Sequence, residues 1–228
     1  MASRPLSAPQ MVINSRMLYS SWMPADPDAV RALAPEGGPT PAGPIYMNQY
    51  VVDSADQTSG FGAYSLTYLG FDIAGMMDPV GMTAARYMLF YFNSSEVMRE
   101  YAVREYDLPA EPGATELTKE EDRVVATTSL DGRPVIRTTA RASDEIAMTA
   151  SGSLTYVRRK DGRDMAGNFP WIAKLADGFA IDGVEFLDPA HPVYALRPAD
   201  PLEIVAASSF YSPDDSFVYP GGVYEVRF

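Results

Sequence analysis

Cysteine, histidine and lysine, three residue types that can form covalent intermediates, are few in this chain. It has no cysteine and a single histidine, and its basic residues are fifteen arginines and three lysines. Lys119 lies in the charged run 118–121, and Lys160 precedes an Asp-Gly turn signal. An amine is a good nucleophile near neutral pH only where burial or nearby positive charge lowers its pKa. These polar settings therefore predict no imine-forming lysine at either position.

Metal chemistry is also disfavoured. A multi-histidine site needs several imidazoles, and the chain has only His191, in an Ala-His-Pro segment. Asp214 and Asp215 could bind a cation only with partners that the sequence does not identify. We therefore predict no metal and no cofactor. His191 has two interpretations, a loop residue or an acid–base group.

Charge and hydropathy exclude several classes of partner. The net charge is −12, from 18 basic and 30 acidic residues, and the only basic cluster, 158–160, runs into a turn. Phosphate binding needs clustered cations, so nucleic acid is not an expected partner. No apolar run is long enough to span a membrane, and no apolar leader opens the chain. We expect no membrane partner and a cytoplasmic location.

The elements that must position the chemistry are mostly strands. Asp26 as N-cap and Pro27 predict a helix over 26–35, and Ser94 or Ser95 begins a second helix that runs to about Glu105. Residues 36–44 are expected to form a loop, and 118–121 a helical turn. Strands are predicted at 11–22, 45–52, 62–73, 82–92, 123–129, 133–141, 145–159, 179–187, 193–196, 202–209 and 217–228. This pattern predicts one α+β, mainly β domain over 1–228, an antiparallel barrel or sandwich with appended helices, in which residues 1–10 form a flexible tail.

Several segments resemble acetoacetate decarboxylases, in the same order along the chain. Residues 104–113, REYDLPAEPG, are similar to the family's active-site segment R-E-L-x-x-Y-P-K-K-L-G. Residues 58–64, TSGFGAY, resemble T-S-G-x-G-x-Y, and Arg16 lies ten residues before DPDAVR, as the family arginine lies before D-x-D-A-L-R. Later likenesses are at 168–174, 201–208 and 221–224. The resemblance implies a cone-shaped antiparallel β-barrel with a buried pocket and a few short helices, in a homo-oligomer.

The resemblance also implies that the family's nucleophile is lost. Those enzymes form a Schiff base through the first lysine of the pair, which is Ala110 here, and Glu111 replaces the second. Glu111 cannot form an imine; it is either an acid–base group with a pKa raised by burial or a solvated loop residue. One family glutamate is replaced by Leu66, and the other falls near Gln49 or Tyr50.

Other family positions are kept. Arg16 matches the family's pocket arginine, which implies a guanidinium holding a carboxylate or enolate; the alternative is a strand arginine that faces solvent or pairs with an acid. Arg104 and Glu105 match the family's R-E pair, either at the pocket or as a structural ion pair. Lys174 matches a lysine that is not the nucleophile. Aromatic and methionine side chains on the strands are expected to line the pocket or fill the core, among them Tyr46, Tyr50, Tyr64, Tyr68, Tyr87 and Met88.

The sequence thus favours an enzyme on this scaffold that does not use imine chemistry. We expect a lyase or an isomerase/cyclase acting on an enolisable keto or polyketide-like substrate of a natural-product pathway. Arg16 and tyrosine hydroxyls would stabilise an oxyanion, and Glu111, Glu105 or His191 would move a proton. One alternative is a protein that only binds an apolar small molecule. The other is a β-keto acid decarboxylase without a Schiff base.

Overall fold

The computed structural model describes residues 5–228. It contains two α-helices, three short 3-10 helices and thirteen strands. The α-helices are α1 (Pro27–Leu33) and α2 (Glu96–Tyr106), and the 3-10 helices span Ala55–Gln57, Pro192–Leu196 and Ala206–Ser208. The strands are β1 (Gln10–Trp22), β2 (Pro41–Val52), β3 (Tyr64–Met77), β4 (Ala84–Asn93), β5 (Ala110–Pro112), β6 (Ala114–Glu120), β7 (Arg123–Leu130), β8 (Arg133–Arg141), β9 (Ile146–Lys160), β10 (Arg163–Ala176), β11 (Ala180–Phe186), β12 (Phe210–Tyr219) and β13 (Tyr224–Val226).

The larger sheet forms a ring. Its strand order is β12-β1-β2-β3-β4-β9-β10, and β12 also pairs with β10, which closes the circuit; β13 adds to β10 and β5 to β4. The pairs are antiparallel except β4–β9 and β4–β5, which are parallel. The predicted mainly β fold with a few short helices is confirmed.

A bulge on β4 decides which of its side chains face the inside of the ring. Along β3 and β4, Leu69 pairs with Phe90 and Gly70 pairs with Met88, so Leu89 is the extra residue. Because side chains alternate along a strand, the bulge places Arg86, Met88 and Tyr91 on one face. The strands approach closely here, since a Cβ on Gly70 would lie 1.8 Å from the Tyr87 carbonyl oxygen.

The smaller sheet, in the order β11-β8-β7-β6, covers the outside of the ring. Its residues Val135, Ile136 and Val184 pack in one core cluster with Met47 and Leu69 of the ring strands. The alternation of β2 separates the two cores: Met47 faces this outer layer, and its neighbours Tyr46 and Asn48 face inward. The strands β2, β3 and β4 are therefore buried on both faces over most of their length, which explains their nearly continuous apolar sequences.

Both predicted helices are confirmed. The Asp26 carboxylate accepts hydrogen bonds from two backbone amides at the start of α1, and Ser95 caps α2 through the amide of Met98. Helix α2 ends at Asp107, which adopts the left-handed conformation with φ 54°. Its apolar face packs on the ring and leaves Arg104 at the surface.

Several local predictions are wrong, each because a tertiary contact overrides a local signal. Residues 118–121 form the end of β6 and the turn to β7, since β6 pairs along its whole length with β7. The predicted strand 193–196 is a 3-10 helix, and 202–209 holds only a single bridge at Ile204 and a second 3-10 helix. The strand predicted at 217–228 is split by 220–223 into the end of β12 and β13. The loop 36–44 ends early, at Pro41.

The predicted tail has two parts. Residues 1–4 lie outside the described residues. Further along, Leu6 and Ala8 pack against the inner core, Arg104 hydrogen-bonds the Leu6 carbonyl, and Gln10 begins β1. Between residues 5 and 228, no helix combines the length and the apolar character that crossing a membrane would need.

Candidate functional site

A cavity opens inside the ring, with an empty volume of about 560 Å³ including its mouth. The wall is almost entirely aromatic or apolar, and its polar members are five tyrosines, one asparagine, one tryptophan and one aspartate. The lining residues are Met17, Tyr19, Asn48, Tyr68, Met88, Tyr91, Leu108, Leu154, Tyr156, Phe169, Trp171, Phe210, Asp215, Phe217 and Tyr219.

Three of the tyrosines share one hydrogen-bonded group at the cavity wall. The hydroxyls of Tyr68 and Tyr156 are 2.8 Å apart, and those of Tyr19 and Tyr156 are 3.5 Å apart. Asn48 Nδ2 donates to the Tyr68 hydroxyl over 2.8 Å. Burial raises the pKa of all three phenols, so they remain protonated at neutral pH and can donate hydrogen bonds.

A buried cation stands behind this group. Arg86 is only 3% exposed, and its Nη1 donates to the Tyr19 hydroxyl over 2.6 Å. Its Nε donates to Asp72, the residue opposite on β3, over 3.2 Å. The guanidinium also lies over the rings of Tyr19 and Tyr46, at 4.9 and 5.2 Å from the centroids. Arg86 does not line the cavity, so its charge acts on the wall through Tyr19.

Asp215 is the one carboxylate at the cavity. It lies on β12 between Ser15 of β1 and Ala173 of β10, and it is 1% exposed. Its Oδ1 has no hydrogen-bond partner among the described residues. Burial raises the pKa of Asp215 to about 7, and the neighbouring Asp214 carboxylate adds to the rise. A carboxyl that is half ionised near neutral pH is suited to general acid–base catalysis.

Three further polar atoms of the wall are buried without a partner among the described residues. They are Asn48 Oδ1, an acceptor, Trp171 Nε1, a donor, and the Tyr91 hydroxyl, which can do both. Buried polar atoms normally have partners, and unpaired ones cost free energy. Unpaired groups gathered around one cavity indicate a place where a polar ligand can supply the missing bonds.

The four predicted catalytic residues lie away from this cavity. Arg16 binds Asp53 in a bidentate pair, at 2.6 and 2.8 Å, and donates to the Leu117 carbonyl, so its guanidinium faces the rim of β1. Glu111 is exposed on β5, and Glu105 pairs with Arg104 at the surface. His191 accepts the Val193 amide proton and caps a 3-10 helix on the outer core. None of these side chains is in contact with the tyrosine group.

Of the predicted binding residues, only Met88 lines the cavity. Gln49 points outward and donates to Thr128 of β7. Tyr87 also faces outward, packing on Phe71 with ring centroids 5.3 Å apart. The others lie in the core behind the wall or at the surface: Tyr50 and Tyr64 bond each other, Leu66 is core, Ala110 is half-buried on β5, and Arg104 pairs with Glu105.

No lysine lines the cavity. Lys174 pairs with Asp214 on the outer side of β12, over 2.5 Å, and Lys119 pairs with Asp144 at the surface. Lys160 ends β9 beside the turn to β10. Nor do the residues from 5 to 228 bring together three or more side chains of the types that ligate metals, so the Asp214–Asp215 pair gains no partners for a cation.

Sequence reasoning missed Arg86, Asn48 and Asp215 as site residues. Asn48 could have been found, because it alternates with Tyr46 and Tyr50 on an apolar strand and so must share their face. Arg86 likewise interrupts an apolar strand, although the bulge that turns it inward has no sequence signal. Asp215 could not be told apart from Asp214 without the pairing of β12 with both β1 and β10.

The chain matches none of the protein-family models and none of the curated protein sequences with which it was compared. Solved structures match over nearly its whole length. An acetoacetate decarboxylase shares 17% identity and a TM-score of 0.66 over 97% of this chain and 91% of that one. The acetoacetate decarboxylase of Legionella pneumophila shares 13% identity and a TM-score of 0.67 over 99% and 91%.

A third match is the enduracididine biosynthesis enzyme MppR, complexed with the condensation product of pyruvate and imidazole 4-carboxaldehyde. It shares 13% identity and a TM-score of 0.63 over 98% of this chain and 92% of that one. Identities this low establish a common fold and not a common reaction. The chain therefore has the acetoacetate decarboxylase-like fold, as the ordered sequence segments predicted, with no lysine at its cavity.

Proposed function

We propose that the chain is an enzyme that moves a proton on a neutral, enolisable ketone bound in the cavity, without forming an imine. Reactions of this kind are those of a lyase or an isomerase/cyclase. The observation that carries the proposal is Asp215, a buried carboxyl with a free oxygen and a pKa raised to about 7 at an aromatic cavity wall. Such a group has the properties of a general base tuned to neutral pH.

The proposed step needs no cofactor. The Asp215 carboxylate removes a proton from the carbon next to the carbonyl, so that the C–H bond breaks and an O–H bond forms on the carboxyl. The electron pair moves to the carbonyl oxygen and gives an enolate, which tyrosine hydroxyls stabilise. Return of the proton at another carbon isomerises the substrate. In a β-hydroxy ketone the enolate electron pair instead forms a C=C bond as the C–O bond to the β-hydroxyl breaks, and the leaving hydroxide takes the proton back from Asp215 and departs as water.

The wall favours a neutral substrate. A β-keto acid brings a carboxylate, which needs a cation or several donors close by when it is removed from water. Among residues 5–228 no Lys or Arg side chain contacts the cavity, and Arg86 is already paired with Asp72. Decarboxylation without a Schiff base, considered from the sequence, is therefore the least supported of the three reactions. MppR, trapped with a condensation product of pyruvate, supports carbonyl chemistry other than decarboxylation on this fold.

The test is exchange of carbon-bound protons with solvent. Cyclohexanone, acetophenone, benzylacetone and the β-hydroxy ketone diacetone alcohol would each be incubated with the protein in D₂O and followed by proton NMR. We expect at least one ketone to exchange faster than in buffer, with a rate that rises with pH through about 7. Asp215→Asn should lower that rate by at least about 100-fold, because it removes the base.

Asp214→Asn is the matched control. It removes the neighbouring carboxylate, which pairs with Lys174 outside the cavity, and should leave the exchange rate within a few-fold of the wild type. Equal loss in both variants, or exchange that persists in Asp215→Asn, would remove Asp215 from the mechanism.

A second candidate is a protein that only binds an apolar molecule. The observation that favours it is the wall itself, in which eight of the fifteen lining residues carry no hydroxyl, carboxyl or amide group on the side chain. Tight binding of a ketone to the cavity without proton exchange, in the wild type and in Asp215→Asn alike, would support this candidate over the enzyme.

A further inference from the structure

The hydrogen bonds around the cavity have a direction, because both ends of the tyrosine group are donors. At one end stands the Arg86 guanidinium, which has no acceptor atom, so the Tyr19 oxygen accepts its proton at 2.6 Å. We therefore assign the proton of Tyr19 to the one hydroxyl that it contacts among residues 5–228, that of Tyr156 at 3.5 Å.

At the other end stands the Asn48 amide. Its Nδ2 lies 2.8 Å from the Tyr68 hydroxyl and 3.3 Å from Met17 Sδ. A thioether sulfur only accepts, which identifies the amide group there as the NH₂ and not the carbonyl oxygen. Tyr68 therefore accepts from Asn48, and we assign its own proton to the Tyr156 hydroxyl, at 2.8 Å.

The two chains converge on Tyr156. Its oxygen has two lone pairs, and in this assignment both accept protons, one from Tyr19 and one from Tyr68. Its own proton has no acceptor among the described residues, and Tyr156 lines the cavity. The ring is held by Phe169 and Tyr68, each with its centroid 5.4 Å away, so the hydroxyl cannot turn aside without disturbing the core.

We propose that the Tyr156 hydroxyl is the catalytic hydrogen-bond donor to the carbonyl oxygen of the bound ketone. Arg86 is a positioning residue, which acts through Tyr19. The inference rests on the proposed function, because it needs a carbonyl compound in the cavity. Accepting two hydrogen bonds makes a phenol a stronger donor of its own proton, since hydrogen bonds in a chain polarise one another. In agreement, Arg86 and the bonds from Tyr19 and Tyr68 oppose the burial that raises the pKa of Tyr156.

The test uses p-nitrophenol, whose absorbance reports directly whether its oxygen is ionised. Asp215→Asn serves as the parent protein, so that no titrating carboxylate competes with the probe. In this parent, adding Tyr156→Phe should raise the apparent pKa of the bound phenol by about one to two units, the equivalent of losing one hydrogen bond to an anion. Tyr64→Phe is the control: it removes a buried hydroxyl that bonds Tyr50 and does not line the cavity.

Arg86 is tested through the same probe. Arg86→Met should raise the pKa of the bound phenol by less than Tyr156→Phe does, and Arg86→Lys, which keeps the charge, should restore part of the shift. A purely structural arginine would change the melting temperature without moving the probe's pKa. If Tyr156→Phe does not fold, Tyr19→Phe and Tyr68→Phe each remove one of the two donors to Tyr156, and each should give a smaller rise.

Three results would overturn the inference. They are no binding of p-nitrophenol to the parent, an unchanged pKa in Tyr156→Phe, and a larger shift in Tyr68→Phe than in Tyr156→Phe. The last would mean that the proton chain runs the other way. Ketone proton exchange that continues at the wild-type rate in Tyr156→Phe would reject Tyr156 as the donor and keep the proposed function. The exchange rate of Asp215→Asn tests only the base.

Discussion

The interior of the ring contains two tyrosine clusters that look alike in composition and differ in what stands behind them. The Arg86 cluster consists of Tyr19, Tyr68 and Tyr156, and the Tyr219 cluster of Tyr50, Tyr64 and Tyr219. In the second, Tyr50 bonds the hydroxyls of Tyr64 and Tyr219 at 2.8 and 3.0 Å. All six phenols are buried, and burial raises the pKa of each.

The difference between the clusters lies in their sources of charge. Arg86 opposes the burial-driven rise in the pKa of Tyr19 and Tyr156, whereas around Tyr50 the nearest charged forms are those of other tyrosines, which add to the rise. Three phenols joined by two hydrogen bonds leave one proton over in either cluster. In the Arg86 cluster a fixed donor stands at each end and assigns that proton to Tyr156, whereas no fixed donor assigns it in the Tyr219 cluster. A buried hydroxyl therefore becomes a binding group because of the groups that donate to it, and not because of its own chemistry.

The largest effect on stability is expected from removing Arg86, the charge that distinguishes the two clusters. Arg86→Met should destabilise the protein by about 3–5 kcal/mol, because Asp72 is left as a buried charge without its partner. The control Arg31→Met removes an exposed arginine paired with Asp28 and should cost no more than about 1 kcal/mol. Urea unfolding measures both. Equal costs would show that the Arg86 pair contributes no more than a surface pair.

The next effect concerns Asp215, which shares a face of β12 with Tyr219. Its pKa is raised to about 7 in the folded state, so the folded state binds a proton more tightly than the unfolded chain does. The resulting stabilisation is present at acid pH and is lost as the pH rises from about 4 to about 7, by up to roughly 4 kcal/mol. The difference in unfolding free energy between the wild type and Asp215→Asn should follow this curve. A difference that does not vary with pH would mean that folding does not change the pKa of Asp215.

A smaller and sharper contrast comes from one hydroxyl in each cluster. Tyr64→Phe and Tyr68→Phe each delete one phenol oxygen and should each cost about 1–2 kcal/mol in unfolding free energy. Only Tyr68→Phe should slow ketone proton exchange, because only it removes a donor to Tyr156. The measurements are the rate of ketone proton exchange and the urea unfolding free energy of each variant. Equal exchange rates in the two variants would show that the clusters do not differ in function.

The smallest expected effect is none at all. Borohydride added with acetoacetate should trap no covalent adduct, because no lysine lines the cavity beside either cluster. Intact-protein mass spectrometry checks this, with pyruvate as a second carbonyl compound. An adduct mapped to Lys174 would contradict the absence of imine chemistry.

Much of the fold could be predicted from local signals. The start of α1 was predicted correctly from Asp26 and Pro27, and the start of α2 from Ser95. Capping depends on residues adjacent in sequence, so these signals can be read from the chain alone. Alternating apolar segments located most strands of the ring, and the ordered likeness to acetoacetate decarboxylases identified their arrangement. The strand β10 was not predicted as one, although it pairs with both β9 and β12 and completes the ring. The homo-oligomer stays a prediction.

The site was far less predictable than the fold. Resemblance carried the family's pocket positions to Arg16 and Glu111, and the structure has both at or near the surface. The side chains that do meet at the cavity come from β1, β2, β3, β4, β9, β10 and β12, most of them distant from one another in sequence. Their sidedness depends on pairing partners, and for Arg86 on a bulge at Leu89, neither of which a single strand encodes.

By itself, the sequence determined the elements, their approximate bounds and the scarcity of amines able to form an imine, because these follow from residue type and from neighbours along the chain. Only the tertiary structure decided that the hydroxyls of Tyr19 and Tyr68, which accept from Arg86 and Asn48, both contact Tyr156. It also decided that Asp215 rather than Asp214 enters the cavity. The physical reason is that direction and burial arise from ring closure and strand register, and both are set by contacts between residues far apart in sequence.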